Sequence, residues 1–296
     1  MPKRQPRILA GIELGGTKTV AVLARGSAIF ERVRLPTTSP DETLHLLGER
    51  LARWDAIHPI AALGVASFGP LAIDPAHPLY GHVLDTPKPG WSGADLLGPL
   101  GEVTGCPFAI HTDVTAAALA EGQYGAARGF TDHVYITVGT GIGVGILVAG
   151  QPLSGQLHPE AGHMRVPRAA GDDFAGCCPF HGDCLEGLAS GTAIARRAGR
   201  PGAKVTDSDP LWDHVVEVIA QACANLRLTL ACERIVLGGG VIAGRLLLVE
   251  RIAGRTDALI GGYLPAAERM VVAAELGEDA GPKGALLIAA EALAAK

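Results

Sequence analysis

Ile8-Leu9-Ala10-Gly11-Ile12-Glu13-Leu14-Gly15-Gly16-Thr17-Lys18-Thr19-Val20-Ala21-Val22-Leu23 is the stretch whose reading decides the fold. Two apolar runs flank a short glycine turn, and a third run, Ala28–Leu35, follows Arg25-Gly26-Ser27. Short apolar runs joined by glycine turns predict an antiparallel meander. The pattern then restarts. Val134–Val138 predicts a strand, Gly139-Thr140-Gly141-Ile142-Gly143 a turn, Val144–Val148 a strand and Gly150-Gln151-Pro152 the next turn. Helices are expected over Asp41–Trp54, where Leu44, Leu47 and Leu51 share a face, and over Ser92–Val103, Ala116–Tyr124, 185–198 and 210–231. Ala61–Ala66, Phe108–Thr112 and Arg234–Leu237 read as strands, with more helix to the end. A strand–turn–strand unit at the head of each half predicts two related α/β lobes, and 296 residues suit two domains.

Composition narrows the class. Hydrophobic residues at 48% and charged ones at 19% describe a globular chain with a sizeable core and exclude disorder. Glycine is the unusual component, 40 of 296, near twice the ordinary share, so its clusters need local explanations. A net charge of −5 removes the electrostatic case for nucleic acid. Pro2–Arg7 is basic, but the apolar run Ile8–Ile12 ends at Glu13, too short for a secretion signal. The uncharged stretch from Val134 into Leu157 is broken by six glycines and Pro152, which argues against a membrane span. The six cysteines are therefore expected in a reducing cytoplasm, as buried thiols or metal ligands. Cys106, Cys223 and Cys232 read as core.

Five groups of residues carry chemistry. Gly15-Gly16-Thr17-Lys18 is either an ordinary hairpin turn or a loop whose amides, hydroxyl and ammonium face a polyphosphate. It is not a Walker loop, because Thr17 displaces the lysine and a strand follows. The alternating glycines of 139–145 strip one face of a hairpin, and a ligand on that face is the expected compensation. Gly238-Gly239-Gly240 ends a buried strand before a helix, where backbone amides can hold an anion. Asp113, after Thr112, is either a helix N-cap or a carboxylate able to take a proton from a substrate hydroxyl. Cys178-Pro179-Phe180-His181-Gly182-Asp183-Cys184, with His163 fifteen residues upstream, supplies the four N/S ligands of a structural Zn²⁺. Cys177 adjoins Cys178, so the assignment can slip by one. The loop Met164–Cys177 has few large apolar residues, and metal binding is expected to order it.

Together these residues resemble the repressor–open-reading-frame–kinase (ROK) family of sugar kinases. The resemblance runs through Glu13–Lys18, Gly69-Pro70, Thr112-Asp113, Thr140–Gly143, Glu160-Ala161-Gly162-His163, the Cys/His cluster and Gly238–Gly240. It implies a duplicated actin-like (RNase H-like) ATPase fold, with sugar and ATP in the cleft between lobes. The expected lobes are residues 1–118, with a C-terminal helix over 282–296 packing back on them, and 119–281, which carries the zinc loop 163–184. Cys-Pro-x-His-Gly-x-Cys-Leu-Glu-Gly-Leu-Ala-Ser-Gly is similar to the fructokinase branch; glucokinase and N-acetylmannosamine kinase branches usually carry cysteine where His181 stands.

By position, Asp113 resembles the base that deprotonates the attacking hydroxyl. Gly69, Pro70, Thr112, Glu160 and Glu186 match sugar-site positions. Gly15, Gly16, Thr17, Lys18, Thr140, Gly141, Pro179, Gly239 and Gly240 fall to Mg-ATP, and His163, Cys178, His181 and Cys184 to zinc. His163 either ligates zinc, contacts sugar, or does both. Glu13 stands where the family has Asp, a longer arm toward Mg²⁺, and Thr112 where it has Asn. The resemblance implies an ATP-dependent hexose kinase of the fructokinase type, a cytoplasmic homodimer without nucleic-acid or membrane partners. Glucokinase and N-acetylmannosamine kinase are the alternatives within the family. A sugar-sensing repressor is disfavoured, because the first strand is expected near Ile8 and seven residues cannot hold a helix-turn-helix segment.

Overall fold

A computed structural model describes residues 7–265 and 268–295. Of the basic segment Pro2–Arg7 only Arg7 is among them, and residue 296 of the expected C-terminal helix lies outside. The chain forms two compact units: residues 1–120, 154–158 and 278–296 make the first, residues 121–153 and 159–277 the second.

The first unit is built on β1 (Ile8–Leu14), β2 (Lys18–Arg25) and β3 (Ala28–Pro36), the expected meander. Helix α1 (Pro40–Ile57) starts at Ser39, whose hydroxyl accepts from the Glu42 N–H, and buries Leu44, Leu47, Leu51 and Trp54. Then come β4 (Ile60–Ser67), α2 (Leu97–Thr104), β5 (Phe108–Thr112) and α3 (Asp113–Tyr124). The helix expected over Ser92–Val103 begins only at Leu97. Gly93 takes a positive φ, and the Asp95 carboxylate accepts from the Leu97 and Gly98 N–H groups, so residues before it are spent on a turn. Strand order is β3-β2-β1-β4-β5. β1 sits centrally, antiparallel to β2 and parallel to β4, buried on both faces. Leu47, Leu51 and Leu100 pack with Ile12, Leu14 and Leu63 on one face. The C-terminal helix, Ala280–Ala294, lays Leu286 and Ala289 against Leu9, Val22 and Ala62 on the other. That helix comes so close that a Cβ at Gly64 would strike the Ala285 carbonyl oxygen, which is why β4 carries glycine there.

The second unit repeats the plan: β6 (His133–Val138), β7 (Ile142–Val148), β8 (Gln151–Pro152), α4 (Leu185–Ala189), α5 (Gly191–Ala198), α6 (Leu211–Leu230), β9 (Arg234–Gly238), α7 (Leu246–Ile260) and β10 (Val271–Ala273). Its sheet order, β10-β9-β6-β7-β8, is the first sheet's order with β6 in the place of β1. Val134, Ile136 and Val138 of β6 pack with Val215, Val218 and Ile219 of α6 in one core. The single helix expected over 185–198 is two, divided at Ser190, where the backbone is extended and the hydroxyl caps α5 by accepting from the Ala193 N–H. β10 has no counterpart in the expected elements. Cys223 and Cys232 are buried as expected, whereas Cys106 lies part-exposed after α2, with its thiol on the Thr104 hydroxyl. Among the described residues no helix is long and apolar enough to cross a membrane.

Candidate active site and metal centre

In the first unit the β1–β2 turn is closed by the Gly15 N–H donating to the Lys18 carbonyl at 3.0 Å. Thr37 steadies it from the end of β3, its hydroxyl donating to the Gly15 carbonyl (2.8 Å) and its N–H to the Thr17 carbonyl (3.0 Å). Gly15 has no room for a Cβ, which would sit 2.8 Å from the Lys18 carbonyl oxygen, while Gly16 faces open space. Lys18 pairs with Glu278 at 2.7 Å, and Arg34 shares that carboxylate at 2.7 Å. Glu13 lies against Gly281, where any Cβ would overlap its carboxyl group. Burial pushes its pKa up, against the pull of Lys18. The extra methylene of Glu over Asp is thus matched by a glycine in the facing helix.

The cap of α3 is Thr112 and not Asp113. Thr112, at 3% exposure, accepts from the Thr115 N–H at 3.2 Å and pairs with the Thr115 hydroxyl at 2.7 Å. Its side chain is committed to the helix. The Asp113 carboxylate accepts from the adjacent Val114 N–H at 2.8 Å, and its residue is only partly buried. Near it in sequence, burial and the neighbouring His158 hold His111 down to a pKa of about 4. Buried His158 in turn accepts from the Leu71 N–H at 3.0 Å, fixing the chain just after Gly69-Pro70. This histidine was missed in the sequence, where an isolated His gives no signal.

In the second unit the 139–142 turn is gripped from two sides. The Gly191 N–H donates to the Gly139 carbonyl (2.7 Å), and the Thr192 hydroxyl to the Thr140 carbonyl (2.8 Å). Glu186 accepts from the Ile142 N–H at 3.0 Å and leaves no space for a side chain at Gly141. Glu160 is a neighbour of Glu186: burial first, and that second carboxylate next, push its pKa up. The first residues of β7 are approached closely by the chain itself. A Cβ at Gly162, in the short 3-10 turn Ala161–His163, would meet the Ile142 carbonyl.

A pocket of about 730 Å³ opens beside the turn, lined by Gly139, Thr140, Thr192, Gly240, Val241 and Arg245 among others. Gly239 sits behind it at φ +87°, where a Cβ would crowd the Val138 amide. Helix α7 starts at Leu246, so the anion-holding helix expected next to the three glycines is displaced by a turn, in which the Ile242 N–H donates to the Gly239 carbonyl. Pro179 lies elsewhere, exposed between Cys178 and Phe180, and the structure does not bring it to this pocket.

His163, Cys178, His181 and Cys184 converge, their donor atoms all within 4.8 Å of one another. Cys178 Sγ lies 3.6 Å from His163 Nδ1 and 3.7 Å from His181 Nδ1; Cys184 Sγ lies 3.5 Å from His163 Nδ1. A tetrahedral Zn²⁺ with ordinary Zn–S and Zn–N bonds requires S···N separations of about 3.6 Å. The donor set fits zinc in kind and in spacing. Cys177 is excluded from it: its N–H goes to the Gly187 carbonyl, and its thiol, pushed up in pKa by burial, faces Ser190 and Arg196. His163 uses Nδ1 toward the sulfurs, so Nε2, on the far edge of the ring, remains for a second partner. The loop also has a protein anchor of its own. Arg197 and Asp172, nearly buried, form a bidentate pair at 2.7 and 2.8 Å, and Arg197 also stacks 4.3 Å over Phe174.

This arrangement has known relatives. A model of the ROK family matches residues 9–292. The chain is 40% identical over 289 residues to a fructokinase of Pediococcus pentosaceus (97% of this chain, 99% of that one), and 41% identical over 300 residues to a fructokinase of Zymomonas mobilis (97% and 98%). A ROK hexokinase from Thermus thermophilus superimposes with a TM-score of 0.81 at 28% identity, covering 98% of this chain and all of that one. The duplicated sheets are those of the actin-like ATPase fold, and with the match running almost end to end, the chain belongs to the ROK family.

Proposed function

We propose that this protein is an ATP-dependent hexose kinase that transfers the γ-phosphoryl group of Mg-ATP to the 6-hydroxyl of D-fructose. The observation that carries the choice of sugar is the near-full-length identity of about 40% to two fructokinases, supported by His181 in the Cys/His cluster. In the reaction the 6-oxygen bonds to the γ-phosphorus, the bond to the bridging oxygen of ADP breaks, and the hydroxyl proton passes to Asp113. Base assistance contributes on the order of 10²–10⁴-fold, so alignment and charge stabilisation supply the remainder. Gly15–Lys18 and Thr140-Gly141 are assigned to the phosphates, and the pocket beside Gly240 to the nucleoside. Gly69-Pro70, Glu160 and Glu186 are assigned to the sugar. Thr112 serves it indirectly, by holding the start of α3. Glu13 is assigned to Mg²⁺ through water.

His163, Cys178, His181 and Cys184 would hold one structural Zn²⁺, anchoring the segments that carry Glu160, three residues before His163, and Glu186, two after Cys184. A homodimer in the cytoplasm is carried over from the family resemblance. Steady-state kinetics with fructose, glucose, mannose and N-acetylmannosamine under Mg-ATP test the reading. The highest kcat/KM is expected for fructose, and a preference for glucose or N-acetylmannosamine overturns it.

A further inference from the structure

Lys88 stands in Thr86-Pro87-Lys88-Pro89-Gly90-Trp91, where a single lysine between prolines makes no sequence motif. Its ammonium donates to the Gly16 carbonyl, in the middle of the β1–β2 turn. It also lies 5.6 Å from the Phe68 ring centroid and 5.7 Å from that of Trp91, two rings packed edge to face at 5.1 Å.

The position is held from several directions. Trp91 is fully buried, and its indole N–H donates to the Thr38 carbonyl at 2.9 Å, beside the Thr37 that steadies the turn. The Trp91 N–H donates to the Lys88 carbonyl (3.2 Å). The Lys88 N–H donates to the Thr86 hydroxyl (3.4 Å), which itself donates to the Gly69 carbonyl (3.4 Å). Lys88 is therefore fastened on one side to the glycine turn and on the other to Phe68-Gly69-Pro70.

Charge separates it from the other lysine at the turn. Lys18 is matched by Glu278. Among the described residues no carboxylate pairs with Lys88; its partners are one carbonyl and two ring faces, which hold a cation without neutralising it. An ammonium has three donors, and the carbonyl takes one. The Gly16 and Thr17 N–H groups likewise donate to no protein group among the described residues. A rigidly placed, unneutralised cation between a phosphate-type turn and a sugar-site segment suits an anion that passes from one to the other.

We infer that Lys88 is a catalytic residue that contacts the transferring phosphoryl group and, after transfer, the phosphate of the sugar product. This rests on the kinase reading above. Lys88→Met, Lys88→Arg and wild type are to be compared by steady-state kinetics and by calorimetric binding of fructose, fructose 6-phosphate and inorganic tripolyphosphate. Loss of one preorganised donor to developing charge is expected to lower kcat about 10²-fold, with the fructose KM within about threefold. Affinity for fructose 6-phosphate and tripolyphosphate should fall about tenfold or more while that for fructose holds, and Lys88→Arg should recover most of both. A lysine that merely pins its loop predicts the reverse: weaker fructose binding, lower thermal stability and no selective loss toward the phosphorylated ligands. That result, or a Lys88→Met kcat within twofold of wild type, overturns the assignment. Should wild type phosphorylate no hexose, the kinase reading falls, and tripolyphosphate binding still decides the fate of Lys88.

Discussion

Replacing Thr112 and Asp113 one at a time should separate stability from catalysis at adjacent positions. The Thr112 hydroxyl accepts from the Thr115 N–H and pairs with the buried Thr115 hydroxyl. Thr112→Ala removes a helix cap, about 1 kcal/mol, and strands a buried hydroxyl, about 1 kcal/mol more. The sum of about 2 kcal/mol corresponds to a fall in Tm of roughly 4–8 °C for a chain of this size. Asp113→Asn keeps an oxygen for the Val114 N–H and leaves the cap untouched, so its Tm should stay within about 2 °C of wild type. Its kcat should fall at least about 10²-fold, because an amide cannot take the hydroxyl proton. Thermal unfolding by circular dichroism and a coupled ADP-release assay read the two effects, and Thr112→Ser should restore the lost stability. Near-normal turnover in Asp113→Asn would refute the base assignment. A Tm loss in Asp113→Asn equal to that of Thr112→Ala would refute the division of roles.

Freshly purified protein should contain one zinc per chain by elemental analysis. Cys184→Ser should lower Tm by at least about 4 °C and raise the hexose KM more than the ATP KM, the Arg197–Asp172 pair keeping the loop from complete collapse. Absence of zinc, or full activity after exhaustive chelation, would sink the metal assignment. Glu160 gives a pH signature. Its folded pKa is raised by burial and by Glu186, so the native state binds the proton more tightly than the unfolded chain, and stability drops as pH rises past the ordinary carboxylate range. Glu160→Gln should therefore melt higher than wild type at pH 8, with the gap closing toward pH 4, while binding hexose more weakly. A gap independent of pH would contradict the raised Glu160 pKa.

The duplication was legible from the chain alone, because a glycine turn between two apolar runs specifies a hairpin locally, and the pattern occurs at Gly15-Gly16 and again at Gly139–Gly143. The Cys/His cluster was legible for the same reason: three of its four donors lie within seven residues, and chemistry supplied the fourth. What escaped depended on groups distant along the chain. That Thr112 rather than Asp113 caps α3 turns on which backbone is extended at one residue, and Cys178 was separated from Cys177 only by where the strand-like bridge to Gly182 points each side chain. Glu121, fully buried, receives N–H groups from Ala126, Glu275 and Leu276, a carboxylate stabilised by backbone some 150 residues away. Arg197 and Asp172 are twenty-five residues apart, and Lys88 meets Gly16 across seventy-two. Periodicity, glycine and donor spacing act within a few residues, where the covalent chain fixes the geometry. Burying a charge against a particular distant partner requires the whole path of the chain, and only the folded structure supplies it.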